Sequence, residues 1–127
     1  HKRHDPTVAN QVKVHEVVGR VEGRTCLIVD DMVDTAGTIC QAAQALREHG
    51  AAKVLCASTH AVLSDPAPQR LREAGFDEII FSNTLPIRKD IDIPNLTVLS
   101  IAPLIAKAIH QVFEDGSVAS LFPDGIR

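Results

Sequence analysis

Three carboxylates and a turn of small residues stand close together between Cys26 and Thr38. Asp30 and Asp31 follow a short apolar segment, and Asp34 precedes the turn Thr-Ala-Gly-Thr. Small residues at a strand-to-helix junction allow backbone N–H groups to converge on an anion, and the dipole of the following helix favours that anion. The carboxylates would repel a bare phosphate. A sugar phosphate, whose hydroxyl groups or attendant metal ion the acids could hold, fits the pattern better.

Helix capping is the alternative explanation of the same residues. Asp and Thr are favoured N-caps, and acidic turns are common after strands. A single Asp-Thr turn would be explained by capping alone. Two further acids directly before the turn favour ligand binding, as a motif hypothesis that depends on its expected strand–turn–helix context.

The composition describes a globular chain with an aliphatic core. Its 127 residues are 45% apolar, with four Phe and neither Trp nor Tyr. This length predicts one domain that can bury a core, which Val, Ile, Leu and Ala must fill. The formal net charge of -3 gives no overall attraction to nucleic acid or to an anionic membrane.

Several features of the sequence bear on the cellular location of the protein. No apolar run approaches the roughly 20 residues that span a bilayer, and no signal-peptide pattern is present. These features predict a cytoplasmic location if the N-terminus is natural, although the start at His1 without Met reads as a cut within a longer protein. The wide spacing of Cys26, Cys40 and Cys56 predicts buried, reduced thiols instead of a disulfide framework or a zinc site.

Apolar patterning predicts strands that alternate with helices. Residues 1–11 are expected to form a polar loop, and 86–95 a charged, proline-bearing surface loop. The predicted strands are 12–18, 25–30, 53–59, 78–82 and 96–99. The predicted helices are 37–49, a short one with Asp65 as N-cap, Pro66 as first residue and Gly75 at its end, and a last one starting near 100–103.

This alternation indicates an α/β fold: three layers, with a largely parallel sheet flanked by helices. Ligands of such sheets bind beyond the carboxyl ends of the strands. Asp30 and Asp31 lie at such an end. The fold and the motif therefore predict the same place for a binding site.

At these residues the chain resembles the ribose-phosphate pyrophosphokinase (phosphoribosyl pyrophosphate synthetase) family, which has the type I phosphoribosyltransferase fold. The loop alone would not separate synthetases from transferases, but the flanking segments do. They are Lys2-Arg3, Thr59-His-Ala-Val-Leu-Ser-Asp-Pro66, Asn83-Thr-Leu-Pro86 and Ser117-Val-Ala-Ser-Leu-Phe122. The resemblance covers essentially the whole chain, 1–127, as the C-terminal, ribose 5-phosphate-binding domain of a two-domain synthetase.

The resemblance implies transfer of a pyrophosphoryl group from Mg-ATP to the anomeric hydroxyl of ribose 5-phosphate, with release of AMP. It implies that Asp30 and Asp31 hold the ribose hydroxyls, and it allows both to contact a metal through water. It implies a loop that binds the 5-phosphate through backbone N–H groups and hydroxyls. The loop residues are Asp34, Thr35, Ala36, Gly37 and Thr38.

The resemblance also implies a role for the basic residues at the start of the chain. Residues 1–11 match the remnant of a flexible catalytic loop, with Lys2 and Arg3 as catalytic residues that stabilise charge on the transferred group. The alternative is a solvated basic terminus. By resemblance, many relatives carry arginine where this chain has His4, and histidine is only partly charged near neutrality. Either Arg3 supplies the positive charge that arginine at the position of His4 would provide, or the activity of the enzyme is weaker.

Regulation and assembly are implied by the resemblance as well. Ser117 matches a serine that binds an effector phosphate, whereas Ala119 replaces its usual partner, so control by ADP or phosphate could differ. His60 could approach the nucleotide or be structural. The remaining histidines have no metal-ligand spacing, so no metal site is expected within the chain itself. The parent protein is expected to be a homo-oligomer, a hexamer by resemblance.

The segment that would supply the adenine site and metal ligands is absent from these 127 residues. We therefore expect the chain to bind ribose 5-phosphate but not to catalyse the reaction alone. The expected cofactor of the parent enzyme is Mg²⁺. Two alternatives stay open. One is a phosphoribosyltransferase, which would need a base-binding hood, and the other is a non-catalytic regulatory module of a synthetase.

Overall fold

The computed structural model describes residues 2–4, 12–14, 17 and 19–114 of the chain. The strands are β1 (Lys2–His4), β2 (Val12–Val14), β3 (Thr25–Val33), β4 (Lys53–Ala61), β5 (Glu78–Ser82) and β6 (Leu96–Leu99). The helices are α1 (Gly37–Glu48), α2 (Ala67–Glu73) and α3 (Ala102–Phe113).

The main sheet has four strands in the order β3-β4-β5-β6, and every neighbouring pair is parallel. Helix α1 connects β3 to β4, α2 connects β4 to β5, and an irregular segment connects β5 to β6. The predicted α/β class, with a parallel sheet and flanking helices, is confirmed. Because all four strands point the same way, their carboxyl ends share one edge, which is where a ligand of such a sheet binds.

The core lies between this sheet and helices α1 and α2. Alternate residues of β4 and β5 are buried because successive side chains of a strand point to opposite faces. The helices contribute apolar residues to the same cluster. Its largest fully buried side chains are Phe81, Leu63, Leu71, Ile79, Val54 and Cys56. On β3, Leu27 and Val29 are 54% and 72% exposed.

Both β3 and β4 extend beyond their predicted bounds, and β4, predicted over 53–59, ends at Ala61. The strand expected over 25–30 continues to Val33, because β3 keeps pairing with β4 as far as Val33 opposite Ala61. Asp30 and Asp31 therefore lie inside the strand and do not follow it. Of the strand expected over 12–18, Val12–Val14 forms β2, and residues 15, 16 and 18 lie outside the described part of the chain.

The start of the chain also differs from the predicted loop. Lys2–His4 forms β1, which pairs antiparallel with β2 and places Lys2 opposite Val14. Backbone pairing explains the difference, since a polar strand in a two-stranded ribbon has no apolar pattern to reveal it. The functional description of 1–11 as a catalytic loop stays a prediction.

Two further local predictions need correction. Helix α2 begins at Ala67 with Pro66 in the N-cap position and no side-chain cap, so Asp65 is not the predicted cap. The segment 86–95 is not simply a surface loop. Ile93 is buried, and Ile87 and Ile91 pack against the core cluster, because the crossover to β6 must cover the end of the sheet beside α2.

The cysteines are free thiols, but they are not all buried. Cys56 is buried, whereas Cys26 and Cys40 are half-buried. Burial raises the pKa of the Cys56 thiol to about 12, and burial also raises the pKa of Cys40 against the opposing effect of two nearby arginines. Among the described residues no helix is long and apolar enough to cross a membrane.

Candidate functional site

A cavity of about 210 Å³ lies where β3 ends and α1 begins. It is smaller than the roughly 300–1,000 Å³ of pockets for drug-sized ligands, so it suits a small molecule. Every residue of the predicted loop lines it, together with the first carboxylate. The lining residues are Asp30, Met32, Val33, Asp34, Thr35, Ala36, Gly37, Thr38 and Ile39.

The two adjacent carboxylates of β3 do not share this cavity. Asp30 is half-buried and lines it, while Asp31 is exposed and is not among the lining residues. Their opposite placement follows from the two-residue period of a strand. The Asp31 N–H donates to the Asp30 carboxylate at 2.8 Å, which fixes that carboxylate next to the strand backbone.

The helix begins without a side-chain cap. Ala36 occupies the N-cap position with φ 65° and ψ 7°, and no side chain accepts from the first helical N–H groups. The first helical bond runs from the Cys40 N–H to the Ala36 carbonyl, at 3.1 Å. The N–H groups of the first turn thus lack helical acceptors, as at any helix start, and they face a cavity instead of a cap. Capping does not explain this turn.

A basic side chain from another element supports the loop from behind. The Arg70 guanidinium on α2 donates from Nη1 to the Thr35 carbonyl at 3.1 Å. A Cβ added to Gly37 would lie 3.2 Å from the same Nη1 atom, so glycine allows this close approach. Sequence reasoning missed Arg70, because its contact joins residues 35 positions apart.

A second polar group lies at the same edge of the sheet. Thr84 donates from its hydroxyl to the Thr59 carbonyl at 3.0 Å, and the Nδ1 atom of His60 lies 2.8 Å from the Thr84 oxygen. Since the only hydroxyl proton of Thr84 is used on Thr59, His60 must donate through Nδ1–H. The Ser82 hydroxyl also donates to the Thr59 carbonyl. His60 therefore has a structural partner, and Thr84 is a polar residue that the sequence marked only within a flanking segment.

Other predicted residues lie on a different element or outside the described part of the chain. Lys2 and Arg3 are on β1, whose partner β2 runs beside α1. Ser117 lies outside the described residues. Within the described ranges, no group of three or more His, Cys, Asp or Glu side chains could hold a metal ion.

The cavity can bind a small anion that also carries hydroxyl groups. Backbone N–H groups and the Thr35 and Thr38 hydroxyls supply donors, and the Asp30 and Asp34 carboxylates supply acceptors. Donors and acceptors in one small site match a ligand that accepts at one end and donates at the other. A phosphorylated sugar has those two ends.

Comparison with known proteins identifies what the chain is similar to. Residues 3–123 match the family described as the phosphoribosyl synthetase-associated domain. The chain is 58% identical over 124 residues to a ribose-phosphate pyrophosphokinase of Streptomyces coelicolor, covering 98% of the chain and 38% of that relative. It is 57% identical over 122 residues to one of Mycobacterium tuberculosis, covering 96% of the chain and 37% of that relative.

A solved structure gives the same picture. The crystal structure of phosphoribosylpyrophosphate synthetase from Mycobacterium smegmatis superimposes with a TM-score of 0.74 and 61% sequence identity. The match covers 78% of the chain and 33% of that protein. The chain thus spans well under half the length of the curated relatives that it matches.

Proposed function

The chain belongs to the phosphoribosyl synthetase-associated domain family, and from this premise we propose that it supplies the ribose 5-phosphate-binding half of a ribose-phosphate pyrophosphokinase. The proposed reaction of the parent enzyme transfers a pyrophosphoryl group from ATP to the anomeric hydroxyl of ribose 5-phosphate, which yields phosphoribosyl pyrophosphate and AMP. The observation that carries the proposal is the cavity that joins Asp30 to the uncapped start of α1.

We assign the 5-phosphate to the loop 34–38. Backbone N–H groups at the start of α1 would donate to its oxygens, and the Thr35 and Thr38 hydroxyls would add two more donors. The positive end of the helix dipole favours an anion there by about 0.3–1 kcal/mol. This binding would anchor the substrate by its non-reacting end.

We assign the ribose hydroxyls to the carboxylates of β3. Asp30 lines the cavity beside the loop, so it would accept a hydrogen bond from a ribose hydroxyl while the phosphate occupies the loop. Asp31 lies on the other face of the strand. There it would contact a part of the substrate that extends beyond the cavity, either directly or through a water molecule. Fixing the sugar at both ends orients the anomeric oxygen, and orientation is a main source of rate in phosphoryl transfer.

We propose Lys2 and Arg3 as the catalytic residues. In the transfer, the anomeric oxygen forms a bond to the β-phosphorus of ATP, and the bond from that phosphorus to the oxygen of AMP breaks. Cationic side chains would stabilise the charge on the transferred group and on the leaving AMP. Support comes from the family match, which includes Arg3 and begins one residue after Lys2, and from the contact of β2, the partner of β1, with α1.

The oxygen atoms of this cavity fit Mg²⁺ only if substrate phosphates and water supply the other ligands of the ion. Mg²⁺ is usually held by one or two carboxylates together with substrate phosphates and water. Asp30 and Asp34 line one cavity, whereas the described residues form no cluster of three or more ligands. Bound with ATP, the ion would neutralise charge on the phosphate oxygens. Asp30 would contribute at most one or two oxygens to it.

The remaining assignments follow from the family and concern the longer parent protein. We propose that it is a cytoplasmic homo-oligomer, a hexamer by resemblance, in which this chain forms the C-terminal domain with a type I phosphoribosyltransferase fold. ATP would bind largely outside the matched region, which is about 38% of the Streptomyces relative. Ser117 would bind ADP or phosphate as an effector.

Calorimetric titration of the chain with ribose 5-phosphate, with and without Mg²⁺, tests the proposal. Thr38→Val removes one hydroxyl from the cavity while preserving side-chain shape, and Thr97→Val is the matched control on β6, where the hydroxyl donates to Glu78 instead. A hydrogen bond to a charged group contributes about 1.5–3 kcal/mol, so we expect Thr38→Val to weaken binding by about tenfold or more. Thr97→Val should bind like the parent chain.

Two results would contradict the binding of ribose 5-phosphate at the loop. One is the absence of saturable binding of ribose 5-phosphate by the parent chain. The other is equal affinity in Thr38→Val and Thr97→Val, which would move the phosphate away from the loop. Synthesis of phosphoribosyl pyrophosphate by the chain alone would contradict the assignment of only half of the reaction to it.

A further inference from the structure

Two arginines of α2 make the same kind of bond to different parts of the molecule. Arg70 donates from Nη1 to the Thr35 carbonyl at 3.1 Å, and Arg72 donates from Nη1 to the Asp92 carbonyl at 3.0 Å. Arg72 therefore attaches α2 to the crossover before β6. Arg70 attaches α2 to the loop that lines the cavity. The first bond bears on the loop and the second does not.

The Arg70 bond fixes the direction of one peptide group. The peptide between Thr35 and Ala36 is trans, since Asp65–Pro66 is the cis bond of the described residues. In a planar trans peptide the C=O and the following N–H point in opposite directions. A Thr35 carbonyl that points to Arg70 therefore turns the Ala36 N–H away from α2.

Ala36 and Arg70 line different spaces. Arg70 lines a neighbouring groove between α1 and α2, together with Cys40 and Arg47, and it is not among the residues that line the cavity. Ala36 does line the cavity, and no backbone carbonyl in the described part of the chain accepts from its N–H. The Thr35–Ala36 peptide thus lies between the Arg70 guanidinium and the cavity.

The backbone at this point needs such a support. Ala36 has φ 65°, a left-handed conformation that is unfavourable for a residue with a Cβ. Strained backbone persists where its surroundings hold it in place. The guanidinium holds the carbonyl on one side, and Gly37 leaves room for it, because a Cβ there would meet Nη1 at 3.2 Å.

We infer that Arg70 is a positioning residue that orients the Thr35–Ala36 peptide so that the Ala36 N–H is directed at the bound phosphate. The inference rests on the proposed function for the identity of the ligand, but the orientation of the peptide is a property of the free chain. Arg70 touches no substrate in this role. It acts through the loop.

The test compares Arg70→Met with Arg72→Met in the ¹⁵N-labelled chain. Both variants remove one positive charge and one arginine-to-carbonyl bond from α2, and methionine keeps the apolar stem. We expect Arg70→Met to bind ribose 5-phosphate about tenfold more weakly, with a smaller shift of the Ala36 amide resonance on binding. Arg72→Met should bind within about twofold of the parent chain. Arg70→Lys, which keeps the charge and one donor, should lie between the two.

The outcomes separate this inference from the proposed function. If the parent chain binds and both methionine variants bind equally well with the same Ala36 shift, Arg70 is not a positioning residue. If the parent chain does not bind, the proposed function fails, and the N–H residual dipolar coupling of Ala36 in the free chain, which reports the direction of that bond, decides the inference. A coupling that changes in Arg70→Met and not in Arg72→Met supports it, and an unchanged coupling in both variants overturns it. Should Arg70→Met fail to fold, Arg70→Lys gives the same comparison.

Discussion

Asp30 and Asp31 are adjacent in β3 and lie on opposite faces of it, and only Asp30 lines the cavity at the start of α1. A pair of acids that looks like one unit in the sequence is thus divided between two environments. Asp30 is half-buried beside the loop, whereas Asp31 is exposed. The division gives the two carboxylates unequal roles toward a ligand in the cavity.

Exchange of each carboxylate for an amide should reveal that inequality. Asp30→Asn removes a charged acceptor from the cavity, so we expect it to weaken ribose 5-phosphate binding by about tenfold, since hydrogen bonds to charged groups contribute about 1.5–3 kcal/mol. Asp31→Asn should have a smaller effect. Calorimetric titration of both variants measures the difference, and a larger loss in Asp31→Asn would contradict the assignment.

The left-handed conformation of Ala36 predicts a steep dependence on side-chain shape. A β-branched residue is a poor fit to positive φ, and Ala36 is buried, so Ala36→Val should destabilise the chain by about 2 kcal/mol or more. Ala36→Gly should change stability by less than about 1 kcal/mol, because relief at positive φ offsets the greater entropy of the unfolded chain. Urea denaturation of both variants measures this, and equal losses would be inconsistent with strain at this position.

One carboxylate adds a hydrogen bond just before the paired residues of β4 and β5. Asp77 accepts the Val54 N–H at 2.8 Å, and the Asp77 N–H donates to the Val54 carbonyl at 2.9 Å. Asp77→Ala would leave the N–H of a buried residue without an acceptor, at a cost of about 1–3 kcal/mol. The midpoint of urea denaturation should fall accordingly. Asp65→Ala, which removes an exposed acid paired weakly with Arg88 at 3.9 Å, should change stability by less than about 1 kcal/mol.

Burial of Cys56 predicts a loss of stability in alkaline solution. Its pKa is raised to about 12 from an ordinary value of 9.0, so between these pH values the folded chain keeps a proton that the unfolded chain releases. The unfolded state then binds fewer protons, and the free energy of unfolding falls as pH rises above 9. Below that pH the contribution is fully present.

The check is the stability of Cys56→Val across this pH range. The variant lacks the thiol, so its stability should decline less steeply from pH 9 upward than that of the parent chain. Cys26→Val serves as the control, because Cys26 is only half-buried. Identical slopes in the parent chain and Cys56→Val would show that the thiol does not ionise on unfolding in this range.

Local patterns were sufficient for most regular elements. Helix α1 and the strands β5 and β6 lie where the apolar spacing predicts them, because each buries one face and each is bounded by turn residues. The boundaries that failed depend on partners elsewhere in the chain. β3 runs past Asp30 because β4 continues beside it, and Ile93 is buried because a crossover must cover the sheet.

The sequence by itself determined the fold class, the family and the loop 34–38, because residue type and spacing within a short stretch carry that information. Only the tertiary structure decided that Asp30 faces the cavity without Asp31, and that Arg70 supports the Thr35 carbonyl from α2. The physical reason is the range of the interactions. Propensity and periodicity act between near neighbours, whereas the face of a strand and a hydrogen bond across 35 positions are settled by how the elements pack.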